Sequence, residues 1–511
     1  MMHKDLNAKI ASSVIDSGRL FPNQFVLSPL YLDGLPDWQK IDVSEHIKLM
    51  AHPGLGVTRA HDGQSSLTLL GYMLDPLQPA ASDETILRSM LEHYTSLANL
   101  IAASERYGGR WLIIAGRGDQ LAMFGDALGL RQVFYTPNHN DNGVWAASQP
   151  GMLAECLGLV MSDEANEFIH SPDFRCHREY PWPATATPYA ALKHLQPNHS
   201  LDLISGEAHR YWPDRSLAPV SFDEAIDTLV QTLPALIEAA SLRFDLAVGM
   251  TAGWDSRLVL AASRAVSHKL SYITVQQAAM VDSAEDIRIP ARVLTTLGLS
   301  HHVIKAATYT SPEFAYVFKR SVCLAHDHYA ADAEAVYRYC GRRKVAITGS
   351  GAEVGRCSHR SQLGFTDHDR ITAHDLARLE KIQNSAFAVR QFEAWMHDLG
   401  ERHGIPLLDL HEWEQGHGNW LAMTQLEFDS GWQDIFTPYN CRRVLTTMLA
   451  LDERYRCKPD YLLFRETIRR LWPEALSEAI NPLPALTLKR RLRDVLARVF
   501  KPRRALPGLS G

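Results

Sequence analysis

The chain is poor in sulfur chemistry: 511 residues carry only seven cysteines, an odd number, with no C-x-x-C pair among them. That pattern suggests neither a zinc site nor a disulfide framework, and a reducing cytoplasm is expected. Long apolar runs are also missing. None approaches the ~20 residues that a membrane span needs. The first twenty residues, with Lys4, Asp5, Lys9 and Asp16, contain no apolar core of a signal peptide. A large excess of one charge is absent too, because the net charge is −6. This argues against nucleic acid as an obligate partner. What remains is a globular composition, 46% hydrophobic and 22% charged, in a chain long enough for two or three domains.

The most informative stretch is Leu246 to Leu258, LAVGMTAGWDSRL. Apolar Leu246, Ala247 and Val248 read as a strand that passes through Gly249 into the turn Thr251-Ala252-Gly253. Asp255, Ser256 and Arg257 then open a helical pattern with Leu258, Val259 and Ala262 on one face. A strand, a small-residue turn and a helix start gather free backbone N–H groups at the positive end of the helix dipole, which is an anion site. Asp255 has the wrong charge for bare phosphate but suits a Mg2+ that bridges carboxylate and phosphate oxygens. An ordinary helix cap is the plainer reading of the same residues. The loop lacks the Gly-Lys-Ser/Thr ending of a Walker loop. It resembles instead the S-G-G-x-D-S pyrophosphate loop of the ATP-pyrophosphatase superfamily, with Thr251 for the first Ser and Ala252 for the first Gly.

A second turn of the same kind is VAITGSGAEVGR, Val345 to Arg356. In a parallel α/β sheet, ligands collect at the carboxyl ends of the strands, so two such turns can present Asp255 and Glu353 to one Mg2+. The turn resembles the G-x-G-x-D segment of asparagine synthetases and β-lactam synthetases. Gly349 and Gly351 match it, and Glu353 stands for the metal-binding Asp. Those families carry Glu or Tyr between the glycines, active in proton transfer. Ser350, a poor base, stands there in this chain. Further matches to asparagine synthetases are Asp286, Ala291, Leu297-Gly298 and His301. The strand LSYITVQ adds Val275 to the expected nucleotide contacts. Near the end, Arg465, Arg469 and Arg470 fit the family pattern, but Ala479-Ile480-Asn481-Pro482 replaces its Arg-Pro-Lys. Lys489 is the nearest substitute for that lysine.

The first half consists of short strand-like runs broken by Gly, Pro, Asn and Asp, with one helical stretch, ETILRSMLEHYTSLANLIAAS. Gly109, Trp111, Asp126, Gly129-Leu130-Arg131, Tyr135 and Ala147-Ser148 resemble the class II glutamine amidotransferase domain that precedes the synthetase domain. That domain's nucleophile is an N-terminal Cys thiolate, whereas this sequence starts Met1-Met2-His3 and its first Cys is Cys156. The domain is therefore expected not to hydrolyse glutamine.

Together these readings imply a fold of α/β and α+β character. Residues 1–190 form an Ntn-type antiparallel β-sandwich flanked by helices, a degenerate glutaminase-like domain. Residues 215–485 form a parallel α/β adenine-nucleotide-hydrolase-like domain with a mostly helical C-terminal part. Residues 486–511 form a basic amphipathic tail that can dock on an anionic membrane or an acidic partner, or simply pack on its own domain. The resemblance implies an ATP-dependent, AMP-forming ligase that uses Mg2+. A small-molecule or peptide carboxylate becomes an acyl-adenylate, attacked by a substrate amine or by free ammonia, as in lasso-peptide cyclases or β-lactam synthetases. A nucleotide-binding scaffold whose catalysis has decayed is the alternative. Isolated histidine pairs, His301-His302 and His326/His328, read as structural.

Overall fold

The structure, a computed structural model, describes residues 19–35, 37–137, 143–176, 179–359, 363 and 370–482. The basic tail with Lys489, and the start of the chain, lie outside these residues. The described residues have mixed α/β content, with two antiparallel sheets and one parallel sheet among them.

The first half supplies β1 (Phe25–Ser28), β2 (Gln39–Asp42), β3 (Lys48–Ala51), β4 (Val57–His61), β5 (Ser65–Leu74), β6 (Gly108–Arg117), β7 (Gln120–Gly125), β8 (Phe134–Tyr135), β9 (Ala146–Ala147), β10 (Lys193–His194), β11 (His199–Asp202) and β12 (Ala208–Arg210). One antiparallel sheet runs β10-β8-β9-β1-β3-β2 and the other β12-β11-β7-β6-β5-β4. Strand periodicity explains how they stack. Leu112 and Ile114 of β6 meet Phe25 and Leu27 of β1 between the sheets. The alternate residues Trp111, Ile113 and Ala115 pack outward against Ile86, Leu87 and Leu100. Both faces of β6 are therefore buried, and its sequence reads as a continuous apolar run. The expected single helical stretch divides into two helices, Asp83–Leu91 and Leu97–Ser104, each started by a capping serine, Ser82 and Ser96. Asn198 takes φ +68°, the left-handed turn position at which Asn is tolerated.

The helix Phe222–Ser241, opened by a Ser221/Glu224 capping box, leads into the parallel sheet. Its strands are β13 (Leu246–Gly249), β14 (Ser271–Gln276), β15 (His301–Lys305), β16 (Val345–Ile347) and β17 (Asp434–Phe436), in the order β15-β14-β13-β16-β17. Leu246 and Val248 pack on one side and Ala247 on the other, so β13 is covered on both faces. Among the described residues no helix is long and apolar enough to cross a membrane.

One expectation is overturned. Cys357 and Cys457 form a disulfide across 100 residues of sequence. The absence of Cys pairs hid it because its partners are distant in sequence and meet only when the second turn packs on the C-terminal helices. The bond also removes the ground on which a reducing compartment was expected.

Candidate functional site

β13 and β16 are neighbours at the centre of the sheet, paired in register from Leu246↔Val345 to Val248↔Ile347. Their carboxyl ends therefore deliver both turns to one place. The turns touch there: a Cβ on Gly349 would sit 2.6 Å from the Asp255 carbonyl carbon and 2.7 Å from the Ser256 nitrogen. Only glycine permits that approach. The helix Trp254–Ala262 begins at Gly253 with no side-chain cap, which leaves its first N–H groups facing the turn. Thr251 and Ser256 fix the bend through hydroxyls 2.9 Å apart, and Asp286 accepts the Ala252 N–H at 2.9 Å.

A cleft of about 470 Å³ opens on these turns, within the usual range for small-ligand sites. Gly249, Thr251, Asp255, Ser256, Val275, Gly349, Ser350 and Glu353 line it. Of the other residues expected there, Val248 is wholly buried in the strand. Ala252, Gly253 and Gly351 serve the turns without lining the cleft. Arg257 does not reach it either. Its guanidinium is buried and donates to the carbonyls of Ala475 (2.7 Å) and Glu478 (3.2 Å), because its helix position faces the C-terminal segment. Ser350 contributes its backbone carbonyl to Thr437 Oγ1 at 2.6 Å. Arg469 and Arg470 are held outside by Glu466, Asp223 and Asp227.

Asp255 and Glu353 are bridged by Arg356, 2.9 Å from Asp255 Oδ2 and 3.3 Å from Glu353 Oε1. Asp255 Oδ1 is buried with no hydrogen-bond partner. Burial, and then the Glu353 charge, raise the Asp255 pKa above the usual carboxylate range. Burial alone would raise Glu353 as well, but the His417 hydrogen bond and the Arg356 charge overcome it and hold Glu353 low. Asp255 thus resists ionisation, while Glu353 keeps its charge against Arg356 and His417. The orphaned Oδ1 offers a cation a ligand, so the donor set fits Mg2+.

His417 is the residue that sequence reasoning missed. It sits in a π-helical stretch, Glu412–Leu421, an irregularity that is frequent at functional sites. Its Nδ1 lies 2.8 Å from the Glu412 carbonyl and its Nε2 3.3 Å from Glu353 Oε2. Both partners are acceptors, and although burial alone would lower its pKa, the Glu353 hydrogen bond and the Glu412 and Glu353 charges raise it. The run Gly416-His417-Gly418 was the available signal, since two glycines inside a helical pattern mark an irregular turn. Tyr439, buried beside the two acids, has a hydroxyl without a partner. Trp420, at 36% exposure, and the buried Trp432 are walls of the cleft, whereas Trp395 and Trp413 are core. The histidine pairs that stood out in the sequence are structural. His301 bonds Thr274, and buried His326 pairs with Glu427 at 2.8 Å.

No family model matches the chain, and no curated protein matches it. Among the solved structures that are similar at low level are two enzymes. One is glutamine phosphoribosylpyrophosphate (PRPP) amidotransferase from B. subtilis complexed with ADP and GMP: 10% identity over 65% of this chain and 76% of that one, TM-score 0.24. The other is described as the allosteric regulatory enzyme of purine biosynthesis: 10% identity over 63% of this chain and 77% of that one, TM-score 0.25. At those scores the likeness carries no argument about fold or function.

Proposed function

We propose that the chain is an ATP-dependent, AMP-forming ligase of asparagine synthetase-like organisation: a glutaminase-like Ntn sandwich followed by an adenine-nucleotide-hydrolase-like domain. The observation that carries this reading is the meeting of two glycine-bearing strand ends, each with one acid on the same cleft, around the unpartnered Asp255 Oδ1. The sequence resemblance of both turns supports it. The uncapped N–H groups after Gly253 would bind phosphate oxygens. Val275, Met280 and Ile273 offer an apolar wall for the base. Mg2+ held by Asp255 and Glu353 would neutralise charge on the departing pyrophosphate. Holding acid and nucleotide together supplies proximity for attack on the α-phosphorus. An amine then displaces AMP. That amine comes from the substrate or from free ammonia. Burial pushes the Cys156 thiol up to about 12, so it is no thiolate nucleophile at neutral pH.

A second reading, a nucleotide-binding scaffold, is favoured by Arg356, which already pairs with both acids, and by Ser350 in place of a proton-transfer residue. One pair of measurements separates the two. Wild-type protein should bind ATP in the presence of Mg2+ and catalyse ATP–pyrophosphate exchange with at least one acid in a panel of amino acids and peptides. Asp255→Asn should weaken MgATP binding by about 100-fold, since a metal clamp contributes several kcal/mol. Binding without exchange across the panel leaves the scaffold, and no binding at all removes both readings.

A further inference from the structure

A second cluster of metal-ligating side chains lies behind the cleft, separate from Asp255 and Glu353. We propose that His359, His411 and Glu380 form a binding site for a divalent transition ion of the Zn2+ class, with Glu412 holding His359 from behind. One nitrogen of each histidine and one Glu380 oxygen all lie within 4.8 Å of one another. The two Nδ1 atoms are 3.2 Å apart, and Glu380 Oε1 is 3.8 Å from His411 Nε2. A tetrahedral ion with ligands at about 2.1 Å places them about 3.4 Å apart. Because His411 faces His359 with Nδ1 and Glu380 with Nε2, it would ligate through one nitrogen only, and a side-chain turn would close the remaining separation from within 4.8 Å.

Three features distinguish the cluster from a chance meeting of side chains. First, His411 is fully buried, its Nε2 has no hydrogen-bond partner, and it points at Glu380. Second, the His359 Nε2 is 3.0 Å from Glu412 Oε2, which leaves Nδ1 for an ion. A small turn of the ring would complete the carboxylate–histidine contact by which proteins orient a metal ligand, since Glu412 Oε2 has no other hydrogen-bond partner. Third, the rings of Phe392 and Trp395 wall the site at 5.4 and 5.8 Å from His411, while His359 and Glu380 keep 12% and 18% side-chain exposure. The site is dry on one side and reachable on the other.

Two imidazoles and one carboxylate suit Zn2+, Ni2+ or Cu2+ rather than Mg2+, which takes oxygen ligands. The ligands come from three segments: the residues after the disulfide-bonded Cys357, the end of the helix Ala373–Leu379, and the helix Leu407–His411 that runs into the π-helical stretch. A bound ion would tie these segments together next to Glu412, whose other oxygen lies 3.8 Å from His417 Nδ1.

The test uses the full-length protein and Zn2+ alone. After extraction with chelator and titration with Zn2+ against a chromogenic competitor, wild type should take up one tight equivalent. Glu380→Gln and His359→Gln should each weaken that equivalent at least tenfold, and Glu412→Gln by 10–100-fold. Asp255→Asn should retain it, which separates this site from the nucleotide cleft. Circular dichroism identifies any variant that fails to fold, and Glu380→Gln, at a partly exposed position, is the substitution that decides. No tight equivalent in wild type would overturn the proposal and leave a metal-free His–His–carboxylate network. Uptake lost in Asp255→Asn but kept in Glu380→Gln would overturn it equally.

Discussion

At the scale of single residues, burial without a compensating partner leaves a measurable imprint on stability. His194 in β10 is 1% exposed and stacks on Phe134 at 4.8 Å. Burial pushes its pKa from 6.5 down to about 3. The unfolded chain therefore binds a proton at this site below pH 6.5 that the folded chain refuses until pH 3. Stability is fully present above 6.5 and is lost as the pH falls toward 3. At pH 5 this one residue should cost about 2 kcal/mol relative to pH 7.5. Denaturant titrations of wild type and His194→Leu at both pH values check it. Wild type should lose about 2 kcal/mol more than the variant on acidification, and equal losses would refute the assignment. Residue-level legibility was uneven. Asp255 and Glu353 follow recognisable strand ends, so they could be read from the sequence. His417 and the bridging action of Arg356 depend on contacts 64 and 101 residues away in the chain, which no local pattern encodes. Arg257 was misjudged because its neighbours in sequence face the cleft while its own helix position does not.

At the scale of elements, the site depends on how closely two turns approach. The parallel strands were legible because β13, β14 and β16 are buried on both faces, which makes each a short apolar run ending in glycine or a polar turn. Their adjacency in the sheet was not legible, since about 100 residues and two further strands of sequence separate β13 from β16. Gly349 reports on that adjacency. Its missing Cβ would fall 2.6 Å from the Asp255 backbone, and neither atom belongs to a flexible side chain that could yield. Gly349→Ala should therefore push the turns apart, at about 1–3 kcal/mol of stability. MgATP affinity should fall at least tenfold while the far-ultraviolet circular dichroism stays unchanged. Titration calorimetry at matched protein concentration provides the number. An alanine variant with wild-type affinity would mean that the two turns do not act on one ligand. The disulfide belongs to this scale as well: Cys357 follows the second turn directly and anchors it to Cys457.

At the scale of the whole molecule, the two halves are joined by buried charge. Arg110 of β6 donates to Asp429 at 2.6 Å and to Asp434 at 3.0 Å, and Arg131 reaches Asp434 at 2.6 Å. Both arginines come from the antiparallel half and both aspartates from the segment that carries β17. Around them, Asn440 accepts the Leu128 N–H and donates to the Gly109 carbonyl, while the Trp413 indole donates to the Ala127 carbonyl. Sequence reading placed Gly109, Asp126 and Arg131 in a glutaminase-like pattern. In the folded chain the same neighbourhood forms the seam between the halves. A seam this polar and this buried depends on its charge pairs, because a buried carboxylate that loses its partner costs far more than the pair contributes. Arg110→Met should therefore destabilise the protein by about 3–5 kcal/mol, and Asp429→Leu added to it should recover part of the loss by removing the stranded charge. Calorimetry should give one unfolding transition for wild type, shifted downward as a unit in Arg110→Met. If the halves instead melt separately in wild type, with the substitution moving only one of them, the seam does not couple them. The antiparallel half would then be a passenger on the parallel sheet rather than part of the frame that holds β17 beside β16.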